Sequence, residues 1–117
     1  MADFSEKRRK KDYTLIVQGD VTIEDASSFK KNLSRLLKRT KDVRIDCSEV
    51  TSMHVSGVQI ICSAFLHVAE QKKSLSITEK SRDILEKVFE QVGLQEHPVF
   101  SPEQMAEQSD SKQEANQ

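Results

Sequence analysis

The chain reads as one small α/β domain, a mostly parallel sheet with helices packed on it, and three observations carry that reading. Short β-rich apolar runs alternate with segments whose apolar residues recur every three or four positions, in the order β-α-β-α-β-α. The connections are short, which for successive parallel strands implies right-handed crossovers. The patterned part spans only about 80 residues, too few for a doubly wound nucleotide domain with both sheet faces covered.

Residues 1–12, with the unbroken basic run Lys7-Arg8-Arg9-Lys10-Lys11, are too polar to bury and read as a flexible arm. Such a run is either a solubilising tail or an electrostatic contact for an acidic partner, a membrane surface or nucleic acid, the last weakened by the lack of interleaved aromatics. Tyr13-Thr14-Leu15-Ile16-Val17 is the first strand, ended by the turn chemistry of Gly19-Asp20. Thr22 before Ile23-Glu24-Asp25 has the form of a helix cap with acids in the first turn. Ala26, Phe29, Leu33, Leu36 and Leu37 then mark one face of a helix over about 24–38, and Lys30, Lys31, Lys38 and Arg39 point outward.

Val43-Arg44-Ile45-Asp46-Cys47 alternates as a second strand, and 48–54 reads as a loop anchored by Val50 and Met53. From Ser56 the period turns helical. Val58, Ile61, Ala64, Phe65 and Val68 share a face widened by Ile60 and Cys62, which predicts the most buried helix of the set. Its mouth, Ser56-Gly57, offers backbone N–H groups to an anion or a partner. Leu75-Ser76-Ile77 is a third strand. Ser81 caps a helix with the stripe Ile84, Leu85, Val88, Phe89 and Val92, and Gly93 closes it. His97-Pro98-Val99-Phe100 adds an extended segment, and residues 101–117 read as a polar, acidic, disordered tail. The domain is thus placed at 13–100.

Composition and spacing exclude several classes. A net charge of -1 makes no general case for nucleic acid. No apolar run reaches the roughly 18–20 residues of a membrane span, and no secretory h-region follows the N-terminus. Cys47 and Cys62, without a C-x-x-C spacing, fit small buried hydrophobes in a reduced, cytoplasmic setting. Three glycines in the whole chain leave no phosphate loop or dinucleotide fingerprint. Positions 54–58 read His-Val-Ser-Gly-Val rather than a nucleophile elbow, and no acid is placed to orient His54. His67 and Glu70 form a lone i, i+3 pair without the companions a metal requires. The chain is therefore expected to be no enzyme, with no catalytic residue, metal or cofactor.

Four pieces, in order and at the right spacing, resemble the STAS domain family (sulfate transporter and anti-sigma factor antagonist) over about residues 13–100. They are Gly19-Asp20-Val21-Thr22, then Val43–Val50, then Met53-His54-Val55-Ser56-Gly57-Val58-Gln59, and finally Ser81–Leu94. In anti-sigma factor antagonists the helix-mouth motif is Asp-Ser-Ser-Gly, and a partner kinase phosphorylates its second serine. That serine falls on Ser56 and the glycine on Gly57, while the aspartate falls on His54 and the first serine on Val55.

The resemblance implies a protein-interaction module of a bacterial partner-switching or signalling system. Ser56 would be its phosphorylation site, and Asp20, Thr22, Met53, His54, Val55, Ser56, Gly57 and Gln59 its partner-binding residues. The partner would be a serine kinase of the anti-sigma factor type or another signalling protein. The continuation Gly57-Val58-Gln59-Ile60-Ile61 is also similar to the small STAS subunits of lipid-transport ABC systems and to STAS proteins linked to chemotaxis kinases. The former implies docking on an ABC ATPase as the alternative. A third reading, small-ligand sensing, rests on the anion-binding capacity of the helix mouth.

Overall fold

Four strands form one sheet in the order β1-β2-β3-β4, where β1 is Asp3–Arg8, β2 Tyr13–Val21, β3 Asp42–Met53 and β4 Ser74–Ile77. The computed structural model describes residues 2–8 and 12–91. β2 pairs in parallel with β3, and β3 with β4, while β1 joins the edge antiparallel to β2. A 3-10 turn at Ile23–Asp25 leads into α1, Ala26–Arg39. α2 spans Val55–Gln71 and α3 Glu79–Gln91. The expected segments from Val92 onward, including Gly93, 97–100 and the 101–117 tail, lie outside the described residues.

One core holds the layers together. Leu15 and Val17 on β2, Ile45 and Cys47 on β3 and Leu75 and Ile77 on β4 are fully or almost fully buried. They join Phe29, Leu33 and Leu36 of α1, Val58, Ile61 and Phe65 of α2, and Leu85, Val88 and Phe89 of α3 in a single apolar cluster. The stripes read from sequence are therefore the faces that the helices bury.

Four expectations are corrected. The arm over 1–12 is not flexible at 3–8, because that segment is a paired strand. Phe4 stacks on Phe29 with ring centroids 5.7 Å apart, Glu6 pairs with Arg35, and the Ala2 amide donates to Asp25 Oδ2 at 3.2 Å. Its charge disguised a strand whose partners lie elsewhere in the chain. Gly19-Asp20 does not end β2 either. Two register shifts against β3, between Ile16 and Gln18 and between Gly19 and Asp20, carry the strand on to Val21, and Gly19 takes φ 86° at the second. The same bulges break the alternation of β3, so 48–53 is strand rather than loop, although Val50 and Met53 are buried as expected.

Ser81 is the fourth correction. α3 begins at Glu79, so Ser81 lies inside the helix and is fully buried. β4 pairs with β3 only as far as Ile45, and the Cys47 amide beyond it donates to Ser81 Oγ at 2.6 Å. Thr78 Oγ1 lies 2.6 Å from the same oxygen. Removing the hydroxyl strands a buried N–H, so Ser81→Ala is expected to cost about 1–3 kcal/mol, read as a lower urea midpoint, whereas Ser81→Thr keeps the acceptor.

Asp25 fastens the entry to α1. Its Oδ2 accepts from the Thr22 amide at 2.8 Å and from Thr22 Oγ1 at 2.9 Å. The hydrogen bond from the Thr22 backbone, aided by the Thr22 hydroxyl and the Ala2 amide against a burial penalty, holds the carboxyl below its ordinary value. A depressed carboxylate stabilises the fold fully above its unfolded pKa of about 4 and loses that contribution as pH falls through the lower folded value. The urea midpoint of the chain should therefore drop from pH 5 toward pH 3 by more than that of Asp25→Asn. Equal slopes would remove Asp25 from the acid response.

Candidate functional site

The carboxyl ends of β2 and β3 and the mouth of α2 meet at one edge of the domain. Asp20 pairs with Ser52 and Val21 with Met53 in the sheet register, and the Ser52 hydroxyl donates to the Asp20 carboxylate. The His54 amide donates to the Val21 carbonyl at 2.8 Å, so the turn into α2 is tied back to β2. Glycine is required at the next step. A Cβ on Gly57 would lie 2.8 Å from Met53 Cγ, 3.1 Å from Met53 Sδ and 3.3 Å from Val21 Cγ1.

His54, not Ser56, is the N-cap of α2. Its Nδ1 accepts the Ser56 amide at 3.1 Å and lies 2.8 Å from Ser56 Oγ. A nitrogen that accepts an N–H carries no proton, so the ring proton sits on Nε2 and the Ser56 hydroxyl must be the donor to Nδ1. The imidazole thus holds both the amide and the hydroxyl of Ser56, and its lone pair is placed to receive the hydroxyl proton. The Gly57 amide is also occupied, by the His54 carbonyl at 2.9 Å. With these two first-turn amides taken, the helix mouth offers less to a free anion than its sequence suggests, and the small-ligand reading loses its main support.

The residues expected to meet a partner divide into two sets. Asp20, His54 and Gln59 are exposed, and Thr22, Val55 and Ser56 are half-buried at the same edge. Met53, 6% exposed, and buried Gly57 lie beneath them and shape the turn from within. Sequence reasoning missed Ile23. The 3-10 turn that carries it packs against α2, yet Ile23 itself is 63% exposed, the largest apolar exposure among the described residues. The available signal was an isoleucine between a capping threonine and two acids, a place where polar residues are usual.

From Ser56 a groove of about 560 Å³ runs between α1 and α2, with Leu33, Leu37, Ile60 and Ala64 among its lining and Lys30 on its α1 wall. Both cysteines are free and buried. Burial, with the Asp46 carboxylate adding to it, pushes the Cys47 thiol up to about 12, and burial also raises Cys62. Among the described residues no three His, Cys, Asp or Glu side chains gather as a metal site, and no helix is long and apolar enough to cross a membrane.

Comparison with known proteins agrees with this architecture. The family described as "Mlab, STAS domain" matches residues 4–101. No curated protein matches the chain. Among solved structures, an anti-sigma factor antagonist from Mycobacterium paratuberculosis superposes with a TM-score of 0.64 at 12% identity, covering 87% of this chain and 86% of that one. The anti-sigma factor antagonist SpoIIAA in its unphosphorylated form gives 0.61 at 12% identity, covering 75% and 82%. The Bacillus cell fate determinant SpoIIAA in its phosphorylated form gives 0.61 at 14% identity, covering 79% and 85%. At these identities the likeness is one of fold.

Proposed function

The chain belongs to the STAS domain family, and on that premise we propose that it is a non-enzymatic interaction module of a bacterial, cytoplasmic partner-switching system, regulated by phosphorylation of Ser56. The observation that carries this reading is the Ser56 hydroxyl, half-buried in the first turn of α2 and donating to His54 Nδ1 at 2.8 Å. Phosphoryl transfer to a serine needs an acceptor for its proton, and the imidazole supplies one where the anti-sigma factor antagonists have aspartate. SpoIIAA, which shares the fold, has been solved with and without phosphorylation.

A phosphate on Ser56 adds about -1.5 to -2 charges at the positive end of α2. The fold tolerates that charge, whereas a partner seated on Asp20, Thr22, Ile23, His54, Val55 and Gln59 meets it as bulk and as unsolvated charge. The switch therefore works by occlusion. The partner is a serine kinase of the anti-sigma factor type or a signalling protein in the same circuit.

A second reading is favoured by Val55, a half-buried apolar residue where the antagonists carry a hydroxyl. Such a face docks by packing, as a constitutive subunit on the ATPase of an ABC-type lipid transporter would. One experiment separates the two. Intact mass of protein from its native cell is expected to show one phosphate lost in Ser56→Ala. Ser56→Asp should bind the co-purified partner about tenfold or more weakly than Ser56→Ala. Equal binding by both variants, with an ATPase as the captured partner, defeats the switch and leaves the transport subunit.

A further inference from the structure

We propose that the groove between α1 and α2 receives an acidic amphipathic helix of a partner protein, with one end of that helix beside Ser56. α1 carries Lys30, Lys31, Arg35, Lys38 and Arg39 and no carboxylate. All five are exposed, and among the described residues only Arg35 is held in an ion pair, with Glu6. Lys30 lines the groove and, with Ser34, also the neighbouring concavity where Lys31, Arg35, Lys38 and Arg39 stand, so the α1 wall is flanked by an uncompensated cationic face about 15 Å long, at 1.5 Å per residue from Lys30 to Arg39. The floor is apolar, formed by Leu33, Leu37, Ile60 and Ala64. On the α2 side Leu66, 49% exposed and seven positions beyond Gln59, extends the apolar surface over the rim.

An apolar floor beside a basic wall calls for a ligand with an apolar ridge flanked by carboxylates, and a helix supplies both at spacings of three and four. A lipid surface fits less well. Leu33 and Leu37 are only 2% and 6% exposed, so on the α1 side the apolar residues lie recessed below the lysines and do not reach a bilayer. Nucleic acid fits less well again, because the only aromatic of α1, Phe29, is fully buried and leaves no stacking surface.

Ser56 and Lys30 line the same groove. A phosphate on Ser56 competes for Lys30 and repels the carboxylates at that end, so modification empties the groove. This last step rests on the Ser56 reading, and the groove does not.

The test uses the full-length chain and a 14-residue probe helix with leucine at positions 1, 4, 8 and 11 and glutamate elsewhere, followed by amide NMR shifts. Binding should perturb Lys30, Leu33, Leu37, Ile60 and His67, weaken with salt, and fall about tenfold in Lys30→Glu/Lys38→Glu. That variant should instead bind the lysine version of the probe. Equal affinity for the glutamate and lysine probes overturns the proposal, as does perturbation centred on another face. Tighter binding to phosphatidylglycerol vesicles than to the probe reassigns the surface to lipid and overturns it too. The chain's own acids are tested by Glu103→Gln/Glu107→Gln/Asp110→Asn/Glu114→Gln. If this variant binds the probe more than about tenfold tighter, the occupant is this chain's own acidic segment and the partner helix is refuted. Probe binding unchanged by Ser56→Glu defeats the switch and leaves the groove. No probe binding, with Ser56→Glu still weakening the native partner, defeats the groove and leaves the switch.

Discussion

Gly57→Val will cost about 3 kcal/mol of stability and displace Ser56 from His54, abolishing partner binding along with the loss of fold stability. The cause is the close approach of α2 to the ends of β2 and β3. A Cβ at position 57 already stands 2.8 Å from Met53 Cγ and 3.3 Å from Val21 Cγ1. Neither neighbour has anywhere to go, since Val21 is fully buried and Met53 is 6% exposed. A β-branched side chain on a helix has one strongly preferred rotamer and cannot turn both methyl groups away. Gly57→Ala provides the graded control. Its Cβ meets the same Met53 and Val21 atoms with one carbon instead of three, and a helical Gly→Ala exchange recovers about 1 kcal/mol of propensity, so its cost should fall well short of the valine's. Urea midpoints decide the matter. A valine variant as stable as the parent would mean that α2 can stand off the sheet, and that glycine is not required there.

This glycine also shows what could be read from the chain alone. Ser56-Gly57 was visible as a helix mouth because the apolar period changes there from two to between three and four. That Gly57 faces Met53 and Val21 depends on a parallel register that no local pattern encodes. The same divide runs through the fold. The stripes Phe29-Leu33-Leu36 and Leu85-Val88-Phe89 were legible because each helix buries one face. β3 was read only to Cys47, because two bulges against β2 break the alternation that identifies a strand. β1 was missed for a different reason. Its six residues carry four charges, and what orders them is the edge of β2 together with Phe29, Arg35 and Asp25, the last three more than twenty residues away.

The site divides similarly. Ser56 and its exposed companions Asp20, His54 and Gln59 come together at one edge. The role of His54 was not legible, because a histidine two residues before a serine has no fixed geometry until the helix starts between them. Once α2 begins at Val55, the cap position brings Nδ1 to the Ser56 amide and hydroxyl together. A departure from the Asp-Ser-Ser-Gly pattern thereby keeps a proton acceptor beside the hydroxyl. The two departures pull apart in meaning. His54 keeps a proton acceptor beside the Ser56 hydroxyl, and Val55 puts an apolar side chain where the pattern has a hydroxyl.

Phe29→Ala is the substitution expected to cost most, about 3–5 kcal/mol. That is comparable with much of the stability of a small domain. Phe29 is fully buried, and its ring carries Phe4 at 5.7 Å, so one side chain joins α1 to the core and to β1. The two roles can be separated. Phe4 is only half-buried, and losing its ring should cost about 1 kcal/mol, the scale of an aromatic pair beyond its burial. Phe29→Leu should stay within about 1.5 kcal/mol, because it keeps most of the core volume. Hydrogen exchange gives the sharper readout. In Phe4→Ala the amides of β1 should open ahead of the rest of the domain, while in Phe29→Ala protection should fall across β1 and α1 together. If Phe4→Ala leaves β1 protected, backbone pairing with β2 alone holds the edge strand. If it costs as much as Phe29→Ala, the stack outweighs the core contact. In the expected case, Phe29 also fixes the position of the cationic wall of α1, so a variant that loosens it should blunt binding in the groove at temperatures where the sheet is still intact.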